Sequence, residues 1–158
     1  MRSSVASFYG SAQKMSRDFK KCLENKKLVP FAGGIKTAGK ELAVAMSDLS
    51  DAKNSYENGS YKWSTVQAYY AMFHDARALV YSRGYREKSH YCLAVALREL
   101  FVDSGIMNIR LVRDFTSAMN LREAADYGAE FSGDGAVAVM ASAGKFVEKV
   151  KEIMGDSK

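Results

Sequence analysis

The sequence predicts an all-α protein, an antiparallel up-and-down bundle of five to six helices. Three observations predict it. Apolar residues recur at three-to-four spacing along most of the chain, the period of one helix face. Only one proline stands in 158 residues, and proline is the residue that most disrupts a helix interior. The breaks are short and rich in Gly, Asn, Asp and Ser, which favours neighbouring antiparallel helices.

The elements follow in order. The first segment, about 3–27, carries Val5, Phe8, Ala12, Met15, Phe19 and Cys22 at helical spacing, and Pro30 with Gly33–Gly34 ends it. A second helix from Thr37 has Leu42, Ala45, Met46, Leu49, Ala52 and Tyr56 on one stripe, until Asn58–Gly59. The third, about Ser60 to Arg83, presents Val66, Tyr69, Tyr70, Phe73 and Val80, with Gly84 as its C-terminal cap. Ser89 is placed to cap a fourth helix with the stripe Leu93, Ala96, Leu97, Leu100 and Phe101, closed by Asp103-Ser104-Gly105. In the fifth, about Asn108 to Tyr127, the stripe Val112, Phe115 and Met119 continues into Arg122 and Asp126. An inward-facing arginine and aspartate either pair with each other or line a polar site. Ser132 or Asp134 caps a last helix reaching about Ile153. No strand is expected. One boundary, Pro30–Gly34, divides a basic helical extension (1–34) from a bundle domain (35–158).

Composition narrows the function classes. Hydrophobic residues make up 47% and charged residues 26%, a globular profile that excludes disordered, collagen-like and disulfide-scaffold chains. The start lacks the apolar core of a secretory signal, and the most apolar stretch, Gly135–Gly144, is about half the roughly 20 residues that a spanning helix needs. A cytoplasmic protein with no membrane contact is expected. Cys22 and Cys92, without CxxC or Cys/His spacing, are expected to be reduced thiols.

The net charge of +5 is uneven. Residues 1–41 hold nine Lys/Arg against three Asp/Glu, and the remainder is close to neutral. Within that remainder Arg77, Arg83, Arg86, Lys88 and Arg98 meet only Glu87 between Arg77 and Arg98. Such a cluster is either a solvated face or an attractor of phosphate.

Several machineries are missing from the sequence. It has no GxxxxGK[ST] loop, GxGxxG, HExxH or GxSxG, and histidine occurs only at positions 74 and 90. No metal or other cofactor is expected. What remains is Arg83-Gly-Tyr-Arg-Glu-Lys-Ser-His90, which brings a guanidinium and an imidazole to one end of the bundle beside a helix N-terminus. Arginine forks suit phosphate oxygens, and histidine exchanges protons near neutral pH. Together they fit metal-independent cleavage of an RNA phosphodiester by its own 2′-hydroxyl. One histidine cannot act as base and acid in a single step, so a two-fold dimer placing His90 beside its mate would supply the second group. His74, in mid-helix between Tyr70 and Arg77, reads as a buried, hydrogen-bonded histidine.

The string KWSTVQAYYAMFHDARALVYSRGYREKSHYCL, Lys62 to Leu93, resembles the signature of the HEPN family, in the branch with YYAMFH followed by KSH. LREAADYG, Leu121 to Gly128, resembles that branch's second block. The resemblance runs from about Ile35 to the C-terminus. It implies an all-α, usually dimeric bundle that handles RNA or nucleotides. Many members carry Arg, four to six residues, then His, and act as metal-independent endoribonucleases of toxin–antitoxin or defence systems. Arg83 and His90 fit that spacing. Members partnered with a nucleotidyltransferase antitoxin have a modified tyrosine two places after the histidine, where Cys92 stands here beside Tyr91. Arg86 also departs, since proline is commoner there. The expected catalytic pair is Arg83 and His90. The expected RNA- or nucleotide-binding set is Tyr70, Arg86, Lys88, Ser89, Arg122, Asp126 and Tyr127. The alternative is a non-catalytic nucleotide-binding or accessory subunit of a nucleotidyltransferase.

Overall fold

The computed structural model describes residues 15–156. Six α-helices carry the fold: α1 (Arg17–Glu24), α2 (Gly34–Glu57), α3 (Tyr61–Ser82), α4 (His90–Leu97), α5 (Ile109–Tyr127) and α6 (Gly133–Asp156). The bundle class expected from the apolar period is the one observed. Of the first predicted helix, the part before residue 15 lies outside the described residues, and Phe19 and Cys22 form the buried face of α1.

Helix α3 is the centre. It packs on α2, α4, α5 and α6, and α6 in turn reaches α2 and α5. α3 buries residues on most of its sides, among them Ala68, Tyr69, Ala71, Met72, Ala76, Leu79 and Val80. Alanines let the neighbouring backbone approach, and the large rings fill the gaps between helices. The closest approach is at Gly34, where a Cβ would collide with the Tyr81 carbonyl. The caps are as the turn chemistry requires. Ser16, Ser89 and Asn108 side chains accept from Phe19, Cys92 and Arg110 N–H groups. Gly84 turns the chain after α3 with φ +84°, a conformation in which glycine carries no Cβ penalty.

Three features depart from the sequence expectations. First, there is a small sheet: β1 (Leu28–Pro30) pairs antiparallel with β2 (Tyr85–Glu87), Val29 opposite Arg86. Each strand is three residues long, too short to show a two-residue period. Second, the fourth helix does not run to Phe101. It ends at Leu97, and Arg98–Val102 form a π-helical turn, in which Asp103 N–H donates to the Arg98 carbonyl at 2.9 Å. Third, Cys22 and Cys92 are joined as a disulfide with Cα atoms 5.8 Å apart, not held as thiols. Partners 70 positions apart leave no local spacing to read.

The result is that residues 17–31 do not stand apart from the bundle. Phe19, Cys22 and Leu28 belong to the same core cluster as Leu93, Leu97 and Phe101. Phe31 N–H donates to the Gly84 carbonyl, and Lys88 N–H to that of Lys27, both at 2.8 Å. The loop leading to His90 is therefore held at both ends by the segment that precedes α2.

Candidate functional site

The site is a floor of aromatic rings on α3 with charged groups around its edge. Tyr69, Tyr70, Phe73, His74 and Arg77 project from successive turns of α3, at the three-to-four spacing that puts them on one face. His90 arrives as the first residue of α4, where the Ser89 cap and the β1–β2 pairing fix the chain direction. Arg122 and Asp126 arrive from the last turns of α5.

His90 is half-buried against two of those rings. Its imidazole stacks on Phe73 at 4.6 Å between centroids and lies 5.8 Å from the Tyr69 ring. Its Nδ1 is 2.5 Å from the Tyr69 hydroxyl, so exchange of a proton with a ligand falls to Nε2. Burial lowers the imidazole below the usual histidine range, Arg122 and Arg77 push it the same way, and Glu123 opposes them. A neutral ring that takes up a proton only on demand is the form a general base needs. Burial also drives the Tyr69 hydroxyl upward, against the pull of Arg122, so it stays a phenol.

Arg122 is the cation that shares these contacts. Its guanidinium lies over Tyr69 at 5.3 Å and over Tyr70 at 5.5 Å. One Nη reaches Asp126 at 3.3 Å, while Nε is buried without a hydrogen-bond partner among the described residues. Of the two sequence readings of this pair the structure shows the pairing, Asp126 with Arg122, and the paired guanidinium faces the rings of Tyr69 and Tyr70. The opposite edge is acidic and basic in alternation. His74 Nδ1 bonds Glu41 at 2.9 Å, with Asp48 3.8 Å from Nε2. Arg77 lies over Phe73 and bridges Glu41 at 3.4 Å and Glu87 at 3.3 Å.

The remaining sequence candidates lie elsewhere around this centre. Arg83 turns to the π-helical turn, its guanidinium 4.4 Å over Phe101 and donating to the Leu100 carbonyl at 3.4 Å. Arg86 lies over Phe31 on the β2 side, and Lys88 is exposed. Ser89 spends its hydroxyl on the Cys92 N–H at 3.0 Å. Tyr127 is 83% exposed at the end of α5. The sequence reading missed Tyr69, Phe73 and Glu41 as site residues. The two rings read as core because they share the core stripe, and Glu41 is 33 residues from His74 with no local pattern joining them.

No three His, Cys, Asp or Glu side chains among the described residues are placed to share a metal ion. No described helix is long and apolar enough to cross a membrane.

A relative from Methanocaldococcus jannaschii named "Putative toxin MJ0605" is 31% identical over 114 residues, covering 72% of this chain and 85% of its own. A protein of Archaeoglobus fulgidus named "UPF0332 protein" is 32% identical over 112 residues, 70% of this chain and 89% of its own. A second M. jannaschii protein, "Putative toxin MJ0142", is 26% identical over 90 residues, 57% of this chain and 61% of its own. The family described as HEPN domain matches residues 41–155, a span that holds every residue of the aromatic floor and its charged rim, and the chain belongs to that family.

Proposed function

We propose that this protein is a metal-independent endoribonuclease of the toxin type, with His90 as the group that takes the 2′-hydroxyl proton. The observation that carries the reading is the Arg122–Tyr69–His90 cluster. A half-buried imidazole kept neutral by its surroundings stands beside a guanidinium with a buried, unpartnered Nε. Tyr70, half-buried beside Arg122, is the ring of the cluster that an unstacked base meets, as single-stranded RNA presents. Arg122 is then the fork for the scissile phosphate and for the charge that grows on it. Arg83, matched to His90 by spacing, has its guanidinium over Phe101 and on the Leu100 carbonyl, where it braces the π-helical turn that follows α4. Arg86 and Lys88 hold the flanking backbone. Two of the relatives bear the name "Putative toxin", which agrees with the toxin type. We further propose a homodimer, cytoplasmic and able to pair with a nucleotidyltransferase-type antitoxin, with the floor of each copy opening on a shared groove.

The test is incubation of purified protein with total RNA in EDTA, beside His90→Ala and Arg122→Ala. Cleavage by the wild type and its loss in both variants supports the reading. Equal cleavage by His90→Ala removes it. An aromatic floor under a guanidinium also suits a free nucleotide. Binding of ATP without RNA cleavage, seen as a raised melting temperature that Arg122→Ala abolishes, would favour the non-catalytic alternative.

A further inference from the structure

Cleavage of an RNA strand by its 2′-hydroxyl needs two proton transfers, and His90 accounts for one. The structure places the other histidine of the chain on the same ring. His74 meets Phe73 edge-to-face at 5.3 Å between centroids, and His90 stacks on that ring at 4.6 Å. His74 also flanks Tyr70, the ring that Arg122 covers. The phosphate fork therefore stands over the aromatic ground that links the two imidazoles.

The surroundings of the two histidines differ in sign. His90 faces Arg122 and Arg77, with Glu123 opposing them, and its Nδ1 meets a phenol. His74 faces carboxylates at both nitrogens, Glu41 at 2.9 Å and Asp48 at 3.8 Å. An imidazolium donates from both nitrogens, whereas a neutral ring donates from only one. His74 is flanked by two carboxylates, and His90 by two guanidiniums and a phenol. Arg77, shared between Glu41 at 3.4 Å and Glu87 at 3.3 Å, is the guanidinium on this edge. His74 keeps partial access to solvent, with 20% of its side chain exposed, although α3 buries most of its neighbours.

We propose that His74 is the acid of the same reaction, so that one chain supplies both proton carriers. The inference rests on the cleavage reading given above. The 2′-oxygen forms a bond to phosphorus as its proton passes to His90 Nε2. The bond from phosphorus to the 5′-oxygen breaks, and that oxygen takes a proton from His74 Nε2. The products are a 2′,3′-cyclic phosphate and a 5′-hydroxyl, with no co-reactant. Glu41 positions the ring through Nδ1 at 2.9 Å, and Nε2, 3.8 Å from Asp48 and so beyond hydrogen-bond reach of it, is the atom that donates.

The test uses two leaving groups: an RNA oligonucleotide, and the 4-nitrophenyl esters of ribonucleoside 3′-phosphates. Nitrophenolate departs without being protonated, so its release needs the base and not the acid. His74→Gln is expected to lower RNA cleavage about 100-fold, the usual range for loss of an acid, while nitrophenol release stays within about twofold. His90→Ala lowers both. Glu41→Gln, which keeps a hydrogen-bonding side chain beside the ring, lowers RNA cleavage alone and carries the comparison should His74→Gln not fold. A folded His74→Gln protein that cuts both substrates at the wild-type rate, or loses both alike, overturns the assignment while leaving the cleavage reading intact. A wild type inert on both substrates overturns that reading and the assignment with it.

Discussion

The Tyr69 hydroxyl lies 2.5 Å from His90 Nδ1, and the two rings stack only 14° from parallel. Tyr69 is fully buried in the middle of α3, so the imidazole is oriented by the core rather than by its own loop. That contact decides which ring nitrogen is left to work, because the tautomer follows the partner of the other nitrogen.

Tyr69→Phe tests this orientation. It keeps the ring stack and deletes the hydroxyl, leaving a half-buried nitrogen unpaired at about 1–3 kcal/mol. The fold should survive, with melting lowered by a few degrees. RNA cleavage should fall by about 100-fold, the scale of a catalytic group displaced by an ångström. Initial rates and thermal melts of the same preparation check both. A full wild-type rate in the variant would remove Tyr69 from the mechanism.

The pH dependence follows from the groups around His90. Its imidazole is lowered by burial first and Arg122 next, so the neutral, proton-accepting form is reached below the usual value of about 6.5. Activity should rise with pH through a limb that lies below that value. Arg122→Gln removes a positive neighbour, which makes protonation easier and moves the limb to higher pH. Glu123→Gln removes a negative one and moves it lower. Titration of the His90 ring protons by NMR reads the same two shifts without requiring turnover, so it holds even for a variant that no longer cleaves RNA.

How much of this could be read in advance differs by element. The long helices were legible because each buries a stripe of period 3.6 and ends at a Gly, Asn or Ser that acts as a stop or cap. The Arg122–Asp126 pair was legible for the same reason, as polar residues continuing an apolar stripe. Glu41 and Asp48 were not, since they meet His74 across two helices and nothing local marks the pairing. Arg83 shows the limit of spacing. Seven positions before His90 it looks like a partner, yet its side chain turns to Phe101 once Leu97 gives way to a π-helical turn. A helix type that shifts register by one residue per turn cannot be told from an α-helix by apolar period alone.

Asp75 gives a stability prediction away from the histidines. It sits in the core face of α3 at 2% exposure, with one carboxyl oxygen unpartnered among the described residues. Burial pushes the carboxyl up to about 8, with Lys151 pulling slightly back. The folded protein holds the proton while the unfolded chain releases it near 4, so the stabilisation is complete below that value and is lost as pH rises through about 8. Asp75→Asn has no proton to lose. Between pH 4.5 and 8 the wild type should lose on the order of 4 kcal/mol relative to the variant. Urea unfolding at the two pH values measures it, and parallel curves would show that Asp75 is ionised in the fold.

The Cys22–Cys92 bridge joins α1 to the first turn of α4, two residues beyond His90. Both residues are buried, so reduction is best read in denaturant, where the unfolded chain exposes them. Closing a loop of this length restricts the unfolded state by about 2–4 kcal/mol. Cys22→Ser/Cys92→Ser should therefore unfold at lower urea, and wild type with dithiothreitol should unfold where the variant does. A wild type indifferent to dithiothreitol would show that the thiols are unpaired in solution. Function should respond differently. His90 is still held by Tyr69 and Phe73 from α3, and the Ser89 cap remains. At temperatures where both proteins are folded, RNA cleavage by the double variant should stay within about threefold of wild type, because the contacts that orient the imidazole come from Tyr69 and Phe73 and not from the bridge.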